Sequence, residues 1–161
     1  MSAPDITFRP ITSEDTDFLY TVYAKTRTEE LAVVDWTESQ KDAFLRAQFN
    51  AQHQAYQETY RGGDFLVILM NDRPIGRLYL ARWEQEIRII DIALLPEYRN
   101  AGIGSAILNN ILAEGTRGGR RVSIHVEMFN PALSLYERLG FRKRGEHGVY
   151  SFMEWSLESS A

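Results

Sequence analysis

The sequence of 161 residues contains no cysteine, which excludes a disulfide-stabilised scaffold, a thiolate nucleophile and a cysteine-ligated metal site. Its three histidines, His53, His125 and His147, lie far apart in the chain, so we expect no metal. No uncharged apolar run approaches the roughly 18 residues that a membrane-spanning helix needs. The first residues also lack the basic and then apolar order of a signal peptide. We therefore expect a cytoplasmic protein without a membrane partner.

An excess of positive charge is also missing. The chain has 18 lysines and arginines against 22 aspartates and glutamates, and its net charge is -4. Nucleic-acid binding depends on basic side chains that release counterions, so we expect no nucleic-acid partner. The charge is uneven, because residues 1–98 carry a net -6 and residues 99–161 a net +2. The basic part is compatible with a compact polyphosphate.

The length and a hydrophobic content of 44% predict a single domain over residues 1–155, followed by a frayed Ser-rich tail at 156–161. Periodicity predicts helices over residues 12–23, 37–60, 101–115 and 131–139. It predicts strands over residues 6–10, 65–70, 75–83, 87–95, 122–128, 141–143 and 149–155. Hairpins and two strand–helix crossovers coexist in this order, which predicts a mixed α/β sheet with helices on both faces.

The segment from Arg99 to Ser105 connects an apolar strand to a long helix. A helix start has N–H groups without intrahelical partners and a positive dipole, so it attracts anions. Gly102 and Gly104 remove side chains where a ligand approaches the backbone, and a pyrophosphate can bind there. A dinucleotide fingerprint would need glycine at Ile107, and a P-loop would need Gly-Lys-Ser/Thr, which is absent. A tight connection without a ligand is the structural alternative.

Two motifs in this sequence resemble those of the GNAT N-acetyltransferase superfamily. The run Arg99-Asn100-Ala101-Gly102-Ile103-Gly104 resembles the family's acyl-CoA motif R/Q-x-x-G-x-G/A, and the run from Asn130 to Phe141 resembles its second signature. The resemblance covers residues 64–155 well, whereas the first 60 residues match only in the order of elements. It implies the GNAT fold, a mixed, mostly antiparallel, splayed sheet, with acetyl-CoA as the cofactor.

The resemblance also implies roles for individual residues. The pyrophosphate would bind the turn at residues 99–105, and the pantetheine arm would pair like a strand with residues 92–94. Tyr136 would act as general acid toward the CoA sulfur, although a core-facing stripe is the alternative for this residue. Asn130 would cap its helix or bind the cofactor arm. The implied cofactor-binding residues are Ile92, Ala93, Leu94, Arg99, Asn100, Ala101, Gly102, Ile103, Gly104, Ser105, Asn130 and Tyr136.

Acyl transfer also needs a base, because a primary amine with a pKa of about 10.4 is protonated at neutral pH. Asp91 and Glu86 are our candidate bases on the strand that approaches the site, and His125 and Glu127 lie on the next strand. Strand alternation places Glu86 and Asp91 on opposite faces, so the two cannot both face the acceptor. A solvated structural role, or a water relay in place of a base, remains the alternative for each.

In the GNAT fold the acceptor enters over the first helices, so candidate lining residues are Glu29, Glu30, Trp36, Phe44, Gln48 and Tyr56. Core packing and a solvated helix end are the alternatives. We expect an N-acetyltransferase acting on a primary amine of a small molecule or peptide. An acyl-CoA sensor without turnover and an unrelated phosphate- or nucleotide-binding module are the competing functions. We also expect residues 149–155 to form a sheet edge that can pair in a homodimer.

Overall fold

The computed structural model describes residues 5–157, and the predicted tail lies outside this range from residue 158 onward. The strands are β1 (Ile6–Pro10), β2 (Asp64–Met70), β3 (Arg73–Arg82), β4 (Glu86–Leu94), β5 (Arg121–Glu127), β6 (Arg142–His147) and β7 (Tyr150–Trp155). The α-helices are α1 (Thr16–Thr26), α2 (Thr28–Ala32), α3 (Glu38–Thr59), α4 (Ile103–Gly118) and α5 (Leu133–Arg138). Short 3-10 turns precede α1 and α4 at Ser13–Asp15 and Pro96–Tyr98.

The strands form an open, mostly antiparallel sheet in the order β1-β2-β3-β4-β5-β7-β6, flanked by helices. Strands β4 and β5 are parallel, whereas β1–β2, β5–β7 and β6–β7 are antiparallel. The predicted mixed α/β sheet is confirmed. The predicted edge at residues 149–155 is wrong, because Gly148 (φ 60°) turns β6 back onto β7 and β7 also pairs with β5.

The described residues form two compact units. The first unit combines the residues up to Tyr79 with Ile92–Tyr98. The second combines Leu80–Asp91 with the residues from Arg99 onward. The single domain over residues 1–155 stays a prediction.

The first unit has a core between α1, α2 and α3. Phe49 of α3 is 2% exposed and contacts the rings of Tyr20 and Tyr23 on α1. Thr37 starts α3 with a capping box that includes the Gln40 side chain, as Thr at this position predicts. The short helix α2 was missed by the sequence analysis. It contributes only Leu31 to the core, so it has no apolar period to recognise.

The second unit has a core between α4 and the sheet. The helical spacing of α4 buries Ile103, Ile107, Leu108, Ile111 and Leu112. The facing side of β5 buries Val122, Ile124 and Val126, and that of β7 buries Met153 and Trp155. Because side chains alternate along β5 and β7, one face of these strands is apolar and packs against α4, and the other face is more polar.

Helix α5 starts later than the sequence predicted. Asn130 does not cap it directly, because its Oδ1 atom accepts the Ala132 N–H at 2.9 Å in a turn that precedes the helix. Gly140, with φ 104°, ends the helix and turns the chain so that Phe141 folds back onto Tyr136. Strand β6 in turn extends four residues beyond the predicted residue 143.

Candidate active site

The N-terminus of α4 has no side-chain cap among the described residues. Gly102 occupies the N-cap position with φ 82°, and the first helical hydrogen bond runs from the Ala106 N–H to the Gly102 oxygen at 3.0 Å. The N–H groups of Ile103, Gly104 and Ser105 come before this bond, so they have no intrahelical acceptor. Together with the positive end of the helix dipole, they can bind an anion.

The two glycines of this turn serve different purposes. Gly102 needs its positive φ, which L side chains rarely adopt. Gly104 has no such requirement, and a Cβ atom built on it would meet no atom within 4 Å. By contrast, a Cβ atom on Gly115 of the same helix would lie 2.9 Å from the Arg120 oxygen. A tight connection therefore accounts for Gly102, but nothing in the packing of the described residues accounts for Gly104.

Tyr136 is a buried phenol on α5, 5% exposed. Its ring packs edge-on against Phe141 at 5.5 Å, and the described residues offer its hydroxyl no hydrogen bond. Burial raises the pKa of Tyr136, and the negative charge of Asp91 raises it further. The hydroxyl therefore keeps its proton near neutral pH and is available as a hydrogen-bond donor.

Asp91 lies on β4 five residues after Glu86, so regular strand alternation would place the two carboxylates on opposite faces. The carboxylate is half-buried, and its charge acts on Tyr136. The structure thus brings Asp91 and Tyr136 into one electrostatic environment.

Glu86 is 8% exposed, so the alternative of a solvated carboxylate does not hold for this residue. Its Oε2 atom accepts hydrogen bonds from Ser123 at 2.5 Å and Arg88 at 3.1 Å, and its Oε1 atom accepts from Arg121 at 3.0 Å. Burial raises the pKa of Glu86, but the Ser123 hydrogen bond and the two arginines outweigh burial and lower it. Because its oxygens are committed to these donors, Glu86 does not suit the predicted role of base.

His125 on β5 is half-buried between other rings, 5.0 Å from Phe152 and 5.7 Å from His147. Burial lowers its pKa, and the charges of Arg88 and His147 lower it further. It shares the polar face of the second unit with Ser123, because the two residues are two apart on one strand.

The residues expected to receive the cofactor arm lie in the first unit. The strand at Ala93 approaches β3 closely, since a Cβ atom on Gly76 would lie 2.3 Å from the Ala93 oxygen. The Leu95 N–H donates to the Ile75 oxygen at 2.8 Å on this same side. The pairing of β4 with β5, in contrast, covers only Glu86–Ile89 and Arg121–Ile124. Residues 92–94 therefore contact β3 but extend beyond the register shared with β5.

The predicted acceptor residues occupy different surroundings within the first unit. Trp36 and Phe44 form an edge-to-face pair with ring centroids 5.2 Å apart, and they are 41% and 39% exposed. Glu29 is exposed in the first turn of α2, and Glu30 pairs with Arg27 at 2.9 Å.

Two other predicted acceptor residues contact the core. The Gln48 Oε1 atom accepts a hydrogen bond from the Tyr23 hydroxyl at 3.2 Å. Tyr56 contacts the ring of the fully buried Tyr79, 6.1 Å away. These contacts favour the packing interpretation for Tyr56, whereas Gln48 is exposed and makes this hydrogen bond at the edge of the core.

A cavity of about 380 Å³ opens between α1, α2 and the start of α3. Charged and hydroxyl side chains line it, including Tyr20, Lys25, Lys41 and Asp42, above an apolar floor. Glu29, Trp36, Gln48 and Tyr56 do not line this cavity. The cavity and the predicted acceptor residues are therefore different features of the first unit.

No helix between residues 5 and 157 combines the length and the apolar character needed to cross a membrane. Within the same range, no group of three or more histidine, aspartate or glutamate side chains is arranged to hold a metal ion.

The sequence model described as the Acetyltransferase (GNAT) family matches residues 26–141, which include both motifs in full. The chain belongs to the GNAT acetyltransferase family. Solved structures of GNAT proteins share the fold of this GNAT chain. The PaiA N-acetyltransferase of Thermoplasma acidophilum, in complex with coenzyme A, has a TM-score of 0.70 at 19% identity, with 95% of this chain and 99% of that chain covered.

Two further GNAT structures are similar over their whole length. Naa50 of Arabidopsis thaliana, in complex with the bisubstrate analogue CoA-Ac-MVNAL, has a TM-score of 0.60 at 16% identity, covering 94% of this chain and 99% of that one. A GNAT acetyltransferase of Elizabethkingia anophelis with bound acetyl-CoA has a TM-score of 0.57 at 19% identity, covering 94% and 98%. No curated protein matches the chain significantly. These likenesses support the GNAT fold.

Proposed function

We propose that this GNAT chain is an N-acetyltransferase that transfers an acetyl group from acetyl-CoA to a primary amine of a small molecule or peptide. The observation that carries the proposal is the uncapped, glycine-opened N-terminus of α4 in a chain of the GNAT acetyltransferase family. Coenzyme A or acetyl-CoA bound in structures of the same fold supports the choice of cofactor.

The pyrophosphate of acetyl-CoA would bind the N–H groups of Ile103, Gly104 and Ser105. The open space at Gly104 fits this role, because a phosphate can approach the backbone there without meeting a side chain. Arg99 and the Ser105 hydroxyl would add side-chain contacts, with the backbone of Asn100 and Ala101 completing the turn. The backbone of residues 92–94 and the side chain of Asn130 would hold the pantetheine arm.

When bound, acetyl-CoA supplies an acetyl group activated as a thioester. Tyr136 would donate a hydrogen bond to the departing sulfur, since its hydroxyl is protonated and has no acceptor among the described residues. A thiol has an ordinary pKa of about 8.5, well below that of a buried phenol. Tyr136 would therefore stabilise the thiolate mainly by hydrogen bonding, with complete proton transfer being uphill.

Asp91 is the carboxylate that we propose as proton acceptor for the amine, directly or through a water molecule. Its half-buried position and its effect on Tyr136 support this choice over Glu86. A carboxylate here would also attract a protonated amine before the proton is removed. If water alone accepts the amine proton, we expect Asp91 to be dispensable.

Among the acceptor residues, we propose that Trp36 and Glu29 contact the amine substrate. An exposed aromatic ring and an exposed carboxylate both attract an ammonium group. Tyr56 would then act through packing against Tyr79, and Gln48 through the hydrogen bond that it accepts from Tyr23. A cytoplasmic location is also part of this proposal.

A panel of amines tests this function. We expect the protein to bind coenzyme A in a calorimeter and to release thiol from acetyl-CoA in the presence of at least one primary amine. Binding without thiol release on any amine of the panel would favour the sensor. Absence of coenzyme A binding, together with stabilisation by inorganic phosphate or a nucleotide, would favour the unrelated phosphate-binding module.

A further inference from the structure

Strands β4 and β5 separate part-way along their length. Four residue pairs link them, from Glu86↔Arg121 to Ile89↔Ile124. β4 then continues to Leu94 and β5 to Glu127, and within residues 5–157 this last part of β5 pairs with β7 alone. We call the end of the pairing, after Ile89 and Ile124, the fork.

A closed set of hydrogen bonds joins the two strands immediately before the fork. The Ser123 hydroxyl on β5 donates to the Glu86 Oε2 atom on β4 at 2.5 Å. The Arg88 guanidinium donates to the Ser123 Oγ atom at 2.7 Å and to the same Glu86 oxygen at 3.1 Å. We call these three side chains the clasp. Arg88 and Ser123 also lie opposite each other in the strand register, one pair before the last pair, Ile89↔Ile124.

The clasp is held from its surroundings as well as within itself. Ser123 is fully buried, and Glu86 is 8% exposed. The Arg88 guanidinium lies 5.3 Å from the Trp83 ring and 5.4 Å from the Phe152 ring. Arg121 holds the second oxygen of Glu86, so the carboxylate has a fixed orientation. Buried charge-assisted hydrogen bonds of this kind have strict geometry, and loss of one partner leaves another unsatisfied.

We propose that the clasp fixes the place at which the pairing of β4 with β5 ends, so that Glu86, Arg88 and Ser123 are positioning residues for the cofactor arm. The proposal rests on the proposed function. The backbone hydrogen bonds of the parallel pair end at the fork, and apolar packing against α4 has little directionality. The hydrogen bonds of the clasp are directional, and they lie on the face opposite this apolar packing. Without the clasp, the pairing of β4 with β5 can end before the fork or continue past it. The backbone beyond the fork then loses its fixed position.

Ser123→Ala tests the proposal with a small change in volume, and Glu86→Gln removes the charge while keeping the shape. Ser151→Ala is the matched control, because Ser151 is also a buried serine of the second unit but lies outside the clasp. In the protein without cofactor, we expect Ser123→Ala to accelerate amide hydrogen exchange at residues 90–91 and 125–127. With cofactor, we expect about 10-fold weaker coenzyme A binding and a correspondingly raised KM for acetyl-CoA, with kcat little changed.

The double variant separates a shared clasp from two independent contacts. We expect Ser123→Ala and Glu86→Gln to be non-additive in coenzyme A affinity, because each already opens the same clasp. Exchange and affinity in Ser123→Ala that equal those of Ser151→Ala would overturn the proposal, even if the protein is less stable. A wild-type protein that does not bind coenzyme A would instead overturn the proposed function and the cofactor role of the clasp, whatever the exchange result.

Discussion

At the residue scale, Tyr136 offers a test that separates chemistry from stability. We expect Tyr136→Phe to lower turnover by about 10²-fold while coenzyme A affinity stays nearly unchanged. The melting temperature should also stay unchanged, because the hydroxyl makes no hydrogen bond with the described residues that the variant could lose. Steady-state kinetics, calorimetry and thermal unfolding measure the three quantities. Tyr150→Phe, at a tyrosine that is 39% exposed, is the control, and equal turnover in both variants would remove Tyr136 from the mechanism.

Replacement of Asp91 is predicted to change both the pKa of Tyr136 and the removal of the proton from the amine. Asp91→Asn removes a negative charge that raises the pKa of Tyr136, so that pKa should fall. If Asp91 accepts the amine proton, turnover at neutral pH should also fall by about 10²-fold. The difference between pH titrations of tyrosine absorbance in Asp91→Asn with and without Tyr136→Phe isolates the first effect.

The control for Asp91 is Glu137→Gln, which neutralises an exposed carboxylate beside Tyr136 in the sequence. A lowered Tyr136 pKa with full turnover in Asp91→Asn would assign proton removal to water. An unchanged pKa would instead show that the two groups are not coupled in solution.

At the element scale, the start of α4 has a glycine that the packing of the described residues does not require. We expect Gly104→Leu to leave the protein as stable as before or more stable, because leucine is a better helix former and the space around Gly104 is open. The same side chain would cover the free N–H groups, so coenzyme A affinity should fall by at least about 10-fold. Denaturant unfolding and calorimetry measure the two effects.

Ala113→Leu is the matched control for Gly104→Leu, since it adds a leucine at an exposed position of the same helix far from its N-terminus. We expect it to leave affinity unchanged. Destabilisation of Gly104→Leu with normal affinity would mean that Gly104 serves only the connection between strand and helix.

Sequence reasoning was most successful for elements with strong local signals. Thr37 and the period of α3, or the glycines and period of α4, predict these helices within a few residues. Helix α2 was missed because a five-residue helix with one buried residue has no period. The position of β7 between β5 and β6 was also missed, because the order of strands in space does not follow from their order along the chain.

The candidate site shows the same limit. The turn at Gly102 is local and could be read from spacing, whereas two of the three partners of Glu86 come from a neighbouring strand 35–37 residues away. A signal did exist, because alternation places Glu86 and Arg88 on one face of β4 and Arg121 and Ser123 on one face of β5. Only the parallel register reveals that these faces coincide.

At the scale of the whole molecule, the titrating groups predict that stability rises from acid to neutral pH. The hydrogen bond from Arg9 lowers the pKa of Asp15 to about 2, even though burial opposes it, and the Thr12 N–H adds to the lowering. In the unfolded chain Asp15 has its ordinary value of 3.8. Its stabilisation is therefore fully present above about pH 4 and is lost as the pH falls toward 2. The shift corresponds to about 2 kcal/mol at most, and partial exposure of Arg9 reduces it.

His53 and His125 also make stability rise with pH, but over a higher pH range than Asp15. Burial lowers the pKa of both below the ordinary 6.5, so the folded protein binds protons less readily than the unfolded chain. Below about pH 6.5 the unfolded chain is therefore favoured by protonation. Stability should begin to fall there, before the carboxylates titrate.

Urea unfolding at a series of pH values between 2 and 8 tests both windows in one measurement. We expect the free energy of unfolding to fall on acidification first near pH 6, then more steeply below pH 4. His125→Phe should flatten the first slope, since the aromatic ring keeps the contact with Phe152 but takes up no proton. Asp15→Asn should flatten the second slope and lower stability at pH 7, because the ion pair with Arg9 is lost. A maximum of stability at pH 5 would mean that the histidine pKa values are not lowered by folding.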